Sequence, residues 1–212
     1  MENFKGKKVL FIDRDGTMIT EFPPTYQIDA LEKVTFYPGV FKYLGKIAEE
    51  LDYELVLVSN QDGLGTPKFT EEMFRGPHDF VMSSFANEGV VFREELIDKS
   101  YPEENLSTRK PGIGMFGAYL NNPAYDISNS FVIGDRITDV QLAKNLGCRA
   151  MWINNHPGLG SAEVADSLEE LRKVVAVETT EWKDIYEFLK KSHRTVAHNR
   201  KTNETDIQIE LN

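Results

Sequence analysis

Asp13-Arg14-Asp15-Gly16-Thr17 sets two carboxylates two residues apart on a tight glycine turn. Such a pair can converge on one metal ion or one phosphoryl group, although a strand followed by a polar turn reads the same in so short a motif. Three further segments shift the weight toward chemistry. Ser59-Asn60-Gln61-Asp62-Gly63 offers a hydroxyl and backbone amides, and Arg109-Lys110-Pro111 places cations ahead of the next element. Gly134-Asp135-Arg136-Ile137-Thr138-Asp139 carries two acids four residues apart, so that Asp135 can join Asp13 around a cation with Asp139 one helical turn further on. Taken singly these are a polar loop, a charge pair and a helix cap. Together they supply a nucleophile, an acid/base, a hydroxyl, a lysine and a metal ligand.

The elements that must position these residues alternate along the chain. Apolar runs at Lys8–Ile12, Glu54–Val58, 91–97, Ser130–Ile133, Cys148–Ile153 and Val174–Val177 read as strands. Helical patterns follow Pro38-Gly39, with Val40, Leu44, Ile47 and Leu51 on one face, and recur at Ile137–Leu146 before Gly147. A helix over 70–88 is expected to break at Gly76-Pro77. Further helices are expected at Met115–Leu120, near 166–172, and around Trp182, Ile185, Phe188 and Leu189. Continuous apolar strands separated by helices predict an α/β fold, a Rossmann-like three-layer α/β/α arrangement with a mainly parallel sheet. Ligands of such sheets sit at the carboxyl ends of the strands, where three of these runs end in polar, acidic residues.

Composition narrows the function classes. The 212 residues are 41% hydrophobic and 27% charged, an ordinary globular balance. With 24 Lys plus Arg against 34 Asp plus Glu, the formal charge is −10. An acidic chain is a poor non-specific nucleic-acid binder. It also repels an anionic substrate at long range unless a metal or a local basic cluster reverses the field. No apolar run approaches the length needed to span a bilayer, and MENFKGKK has no apolar region of signal-peptide type behind it, so no membrane association and a cytoplasmic location are expected. The single cysteine, Cys148, excludes an intramolecular disulfide and a zinc site built of cysteines alone. None of the four histidines has ligand spacing; His78 reads as a helix-start residue after Gly76-Pro77.

The ordered set DxD, Ser, Lys and acidic pair over residues 8–156 resembles the haloacid dehalogenase-like phosphatase superfamily. Within it, FIDRDGTMITE, SNQDGLGT, FRGPHDFVM, TRKPGIG and VIGDRITDVQLA are similar to the histidinol-phosphate phosphatases that form the N-terminal half of a bifunctional histidine-biosynthesis enzyme. The resemblance implies attack by Asp13 on phosphorus, with Asp15 as general acid and then general base. It also implies Mg²⁺ held by Asp13, the backbone carbonyl of Asp15, and Asp135, with Ser59 and Lys110 binding phosphoryl oxygens and Asp139 orienting Lys110 or a metal-bound water. Thr17 to Ser59 is 42 positions and Ser59 to Lys110 is 51, which leaves no room for a separate cap domain. An open site for a small phosphorylated metabolite follows. For histidinol phosphate, Glu21 is a candidate for the cationic amine, with Arg14, Asn60, Gln61 and Arg109 as further substrate contacts; Glu21 also reads as a solvated loop acid.

One departure from the subfamily is plain. Its members usually carry a zinc-binding loop before Arg-Lys-Pro, whereas Asp98–Thr108 here has no Cys or His. No zinc is expected, and Tyr101 and Pro102 are candidates to hold the loop. Residues 1–192 form the expected phosphatase domain. From residue 193 the pattern becomes alternation, with Ile207, Ile209 and Leu211 on one side after a polar turn at Lys201–Glu204, and it resembles the opening strands of imidazoleglycerol-phosphate dehydratase. This reads as the start of a truncated second domain, an unpartnered strand or hairpin that would pair across a homodimer or pack back on the domain. Two other readings stay open: a phosphatase for heptose bisphosphate or another small sugar phosphate, and a non-catalytic module phosphorylated on Asp13 in the manner of a receiver.

Overall fold

The computed structural model describes residues 6–156, 158–194, 196–201 and 206–211, with side chains described up to Ser192. Six parallel strands make one sheet in the order β3-β2-β1-β4-β5-β6. They are β1 Lys8–Ile12, β2 Tyr53–Asn60, β3 Glu94–Asp98, β4 Phe131–Gly134, β5 Arg149–Ile153 and β6 Val175–Thr179. The helices are α1 Val40–Glu50, α2 Glu71–Asn87, α3 Ile137–Leu146, α4 Leu168–Arg172 and α5 Trp182–Arg194. This is the expected α/β arrangement, with no separate cap domain among the described residues.

Both faces of the sheet are covered, which is why its central strands are apolar on both sides. Leu10 and Ile12 of β1 point into a core closed by Val40, Leu44 and Ile47 of α1 and by Trp182, Ile185 and Leu189 of α5. Val9 and Phe11 point the other way, against Val140, Leu142 and Ala143 of α3 and against Phe116 and Tyr119. The chain leaves β1 toward β2 on one side, then returns to lay β4 on the other. The carboxyl ends of β1 and β4 therefore flank the point where the strand order reverses, the crevice where such sheets bind ligands.

Three sequence expectations change. Helix α2 runs unbroken through Gly76 and Pro77. Proline forfeits one backbone hydrogen bond there, but Phe74, Pro77, His78, Val81 and Phe85 are all buried along α2, and that burial outweighs the loss. His78 accordingly lies inside the helix, not at its start. Met115–Leu120 forms successive turns, with Tyr119 N–H donating to Phe116 O at 2.9 Å. Gly112 and Gly114 draw the chain tightly over Ser107, and Phe116 and Tyr119 each meet Phe11 edge-on at 5.2 Å.

Past α5, β7 Val196–Lys201 and β8 Asp206–Leu211 pair antiparallel in a sheet of their own. The side-chain alternation expected at Ile207, Ile209 and Leu211, and most of the turn at 201–204, lie outside the described residues and side chains. No helix among the described residues is long and apolar enough to cross a membrane.

Candidate active site

Each strand end delivers one part of the site. Asp13 N–H donates to Ile133 O at 2.9 Å, which extends the pairing of β1 with β4 one residue past the strand and fixes the Asp13 backbone. Gly16 then turns the chain at φ +78, and a Cβ there would stand 2.2 Å from Asp135 Oδ2. Only glycine allows the two loops to approach so closely. At the end of β4, a Cβ on Gly134 would likewise meet the Asp139 carboxylate at 2.2 Å. Trp152 Nε1 donates to the Asp135 carbonyl at 2.9 Å, and Asp139 Oδ2 accepts from Arg136 N–H at 3.1 Å across the first turn of α3.

The carboxylates of Asp13, Asp135 and Asp139 each place an oxygen within 4.8 Å of the others, and all three residues are buried. Lys110 Nζ sits between two of them, donating to Asp13 Oδ1 at 2.7 Å, Asp139 Oδ1 at 2.8 Å and the Val58 carbonyl at 3.2 Å. Burial opposes the charged form of Lys110, but Asp13 and Asp139 outweigh it and raise its pKa. Burial pushes Asp13 up to about 6 against the opposing pull of Lys110. Asp135 is raised well above the usual carboxylate range by burial and then by the charges of Asp13, Glu21 and Asp139. Both of its oxygens are buried and make no hydrogen bond. An all-oxygen donor set with an orphaned buried carboxylate fits a hard divalent cation such as Mg²⁺.

All the remaining predicted residues but Arg14 surround a cleft of about 250 Å³ lined by Asp13, Asp15, Ser59, Lys110 and their neighbours. Gln61 Nε2 donates to Ser59 Oγ at 2.8 Å and Asp15 Oδ2 at 2.6 Å. Asn60 Oδ1 accepts from Lys110 N–H at 3.0 Å and Asn60 Nδ2 donates to the Lys110 carbonyl at 3.1 Å, clamping that loop. Glu21 lines the cleft, but both its oxygens accept from Arg136 Nη2, at 2.8 and 3.0 Å. It is therefore not a solvated loop acid. Burial pushes it up to about 7 in spite of the Arg136 charge. Arg109 donates to Asp62 at 2.6 Å, Glu163 at 3.0 Å and the Ser100 carbonyl at 2.9 Å, tying three segments of the rim together.

Arg14 departs from its expected substrate-facing role. It is fully buried behind Asp15, outside the cleft lining, with its guanidinium 4.8 Å above the Phe74 ring. The 98–108 loop is held mainly by Asp98, whose Oδ1 accepts from Ser100 N–H at 2.9 Å and from Ser100 Oγ, and whose Oδ2 accepts from Thr108 Oγ1. Tyr101 and Pro102 start a short turn at Pro102–Glu104, and the Tyr101 ring packs closely on Gly63, so it helps the acid that ends β3 to hold the loop. Sequence reasoning missed Arg136, Asp62, Glu163, Asp98 and His78 as members of this assembly. All but Glu163 lie in a segment that the sequence picks out, but their partners are distant in sequence.

The family model described as HAD-hydrolase-like matches residues 107–171. The histidine biosynthesis bifunctional protein HisB of Bacteroides fragilis is 50% identical over 208 residues, covering 97% of this chain and 54% of that protein. The HisB of Spirosoma linguale is 48% identical over 209 residues, with the same coverage of 97% and 54%. The chain thus spans about half the length of these curated relatives. Among solved structures, the D,D-heptose 1,7-bisphosphate phosphatase of B. bronchiseptica, complexed with magnesium and phosphate, superposes with a TM-score of 0.68 at 19% identity. That match covers 87% of this chain and 99% of the other, and at this identity it speaks for the fold.

Proposed function

We propose that the chain is a haloacid dehalogenase-like phosphatase, Mg²⁺-dependent, that hydrolyses L-histidinol phosphate. The reaction class rests on one observation: Asp13, Asp135 and Lys110 converge at the reversal of the strand order, with Asp15 held beside them. The substrate rests on the identity to HisB proteins over nearly the whole chain.

Asp13 attacks phosphorus, the bond from phosphorus to the alkoxide oxygen breaks, and an aspartyl-phosphate forms on Asp13. Asp15 gives its proton to the departing alkoxide. It then takes a proton from water as the water oxygen attacks the aspartyl-phosphate, which releases phosphate and restores Asp13. Lys110 holds Asp13 in place, and with Ser59 it offsets charge on the transferring oxygens. Asp13, the Asp15 backbone carbonyl and Asp135 would hold Mg²⁺, while Asp139 keeps Lys110 oriented. When bound, the cation neutralises phosphate charge in an otherwise acidic cleft.

The HisB relatives are bifunctional by name and about twice as long. A dehydratase-like module beginning near residue 193, a cytoplasmic location, and association through β7 and β8 belong to the same reading. The test is phosphate release from histidinol phosphate, with Mg²⁺ and with chelator, beside Asp13→Asn and a heptose bisphosphate control. Turnover that needs Mg²⁺ and Asp13 and favours histidinol phosphate supports the reading. Preference for the sugar phosphate keeps the mechanism and discards the substrate. A long-lived phospho-Asp13 without turnover discards the enzyme.

A further inference from the structure

Behind Asp15, on the side away from the cleft, runs a chain of buried polar groups that the phosphoryl-transfer set does not include. Arg14 meets the Asp15 carboxylate as a fork, with Nε donating to Oδ1 at 2.9 Å and Nη2 to Oδ2 at 3.0 Å. Nη2 also donates to Gln61 Oε1 at 3.3 Å. The free edge of the guanidinium, Nη1, points at His78 Nδ1 at 3.2 Å. A guanidinium has only donors, so Nδ1 must accept, and the ring proton sits on Nε2. That nitrogen lies 2.8 Å from Glu95 Oε2 and donates to it. The imidazole is 3% exposed and stacks on Phe74 at 4.6 Å, the same ring that carries Arg14.

We propose that His78 is a positioning residue for proton transfer: oriented by Glu95, it fixes the Arg14 fork and thereby aims the Asp15 carboxyl at the leaving-group oxygen. The proposal rests on the phosphatase reading for its kinetic consequence. The relay joins residues that are distant in sequence, with 64 positions between Arg14 and His78 and 17 between His78 and Glu95. Phe74 and His78 sit one helical turn apart on α2, so both supports of the guanidinium come from one rigid element. A bidentate fork fixes both distance and plane of a carboxylate. If Nη1 loses its acceptor, a buried donor is left unpaired and the guanidinium turns to recover it. Asp15 turns with it. Proton transfer is sensitive to such turns because the donor must be within hydrogen-bond reach of the oxygen it protonates.

The test compares two phosphate esters. An alkyl ester needs a proton on its departing oxygen, whereas p-nitrophenyl phosphate releases a stable anion and needs none. kcat/KM for both is read for wild type, His78→Phe, His78→Asn and Glu95→Ala. Phenylalanine keeps the stack on Phe74 and removes the acceptor; asparagine restores an acceptor near the Nδ1 position. In His78→Phe, kcat/KM for histidinol phosphate should fall by about tenfold or more, part of what a general acid contributes, and stay within about threefold for p-nitrophenyl phosphate. His78→Asn should recover most of the loss. Glu95→Ala, at a half-exposed side chain that does not endanger the fold, should move the ratio in the same direction by about threefold. A fall shared equally by both esters marks a merely structural histidine and overturns the proposal, as does an unchanged ratio. A wild type inactive on alkyl phosphates overturns the phosphatase reading instead. The positioning is then read from the Arg14 Nε–H resonance, slowly exchanging in wild type and His78→Asn and fast in His78→Phe. Its persistence in His78→Phe refutes the relay.

Discussion

Lys110 Nζ lies 2.7 Å from Asp13 Oδ1, across 97 positions of chain. Both side chains are almost fully buried, and the same ammonium reaches Asp139 on its other side. One cation therefore serves two buried acids, while the Asp135 carboxylate, beside them, accepts no hydrogen bond from the described residues. Three carboxylates share one ammonium, so the arrangement is short of two positive charges, and the carboxylate left outside the Lys110 contacts is the one facing Gly16.

Replacing Lys110 with methionine keeps the length and removes the charge. kcat for the phosphatase reaction should fall about 10²–10³-fold, the usual cost of losing a preorganised electrostatic group. In metal-free buffer the variant should also unfold more easily, by about 3–5 kcal/mol, because two buried carboxylates lose their counter-charge. Steady-state phosphate release and urea titration measure the two effects. A variant with normal kcat would remove Lys110 from the reaction.

Much of the site was legible in sequence because parallel strands advertise themselves. An apolar run that stops at Asp13, Ser59 or Asp135 marks a carboxyl end, and those ends share one edge of the sheet. What stayed hidden was pairing. Glu21 and Arg136 are 115 positions apart, and nothing in either segment reveals that the acid is already taken by the arginine. Arg14 looked like a substrate contact for the same reason: its partners His78 and Phe74 lie on a helix whose proline suggested a break. Local rules gave the wrong answer at Pro77 because the burial of that helix face is a tertiary effect.

Gly16→Ala tests the cation site by displacing a ligand without replacing one. The new methyl group would occupy the Asp135 carboxylate position, and φ +78 adds backbone strain. The Mg²⁺ concentration for half-maximal activity should rise by about 10–100-fold, the range seen when the support of a metal ligand is disturbed. Titrating activity against Mg²⁺ checks this, and an unchanged midpoint would take Asp135 out of the metal site.

Glu21 gives the protein a pH signature. Its folded pKa of about 7 stands above the ordinary 4.5 because burial outweighs the Arg136 charge. Between those values the folded state holds the extra proton. Its contribution to stability is therefore fully present below about 4.5 and is lost as pH rises through about 7. The size is on the order of 1–3 kcal/mol. Urea unfolding of wild type and Glu21→Gln in the same metal-free buffer, from pH 4.5 to 8, should show a steeper fall with rising pH in wild type. Parallel curves would mean that Glu21 titrates normally.

Asp98 takes the structural part at the loop that carries Arg109 and Lys110 toward the cleft. Its two oxygens gather Ser100 and Thr108 from either end of that loop, and Ser100 in turn offers its carbonyl to Arg109. Asp98→Ala leaves three donors in a buried setting unpaired, at a cost of about 2–3 kcal/mol. The loop then loosens, so KM should rise more than kcat falls, because the residues displaced first are those of the rim. Chelators selective for zinc should leave wild-type activity intact, and elemental analysis should find zinc well below stoichiometric, since the acid that ends β3 already does the gathering. Stoichiometric zinc, or a variant whose stability and KM are both unchanged, would show that another group holds the loop.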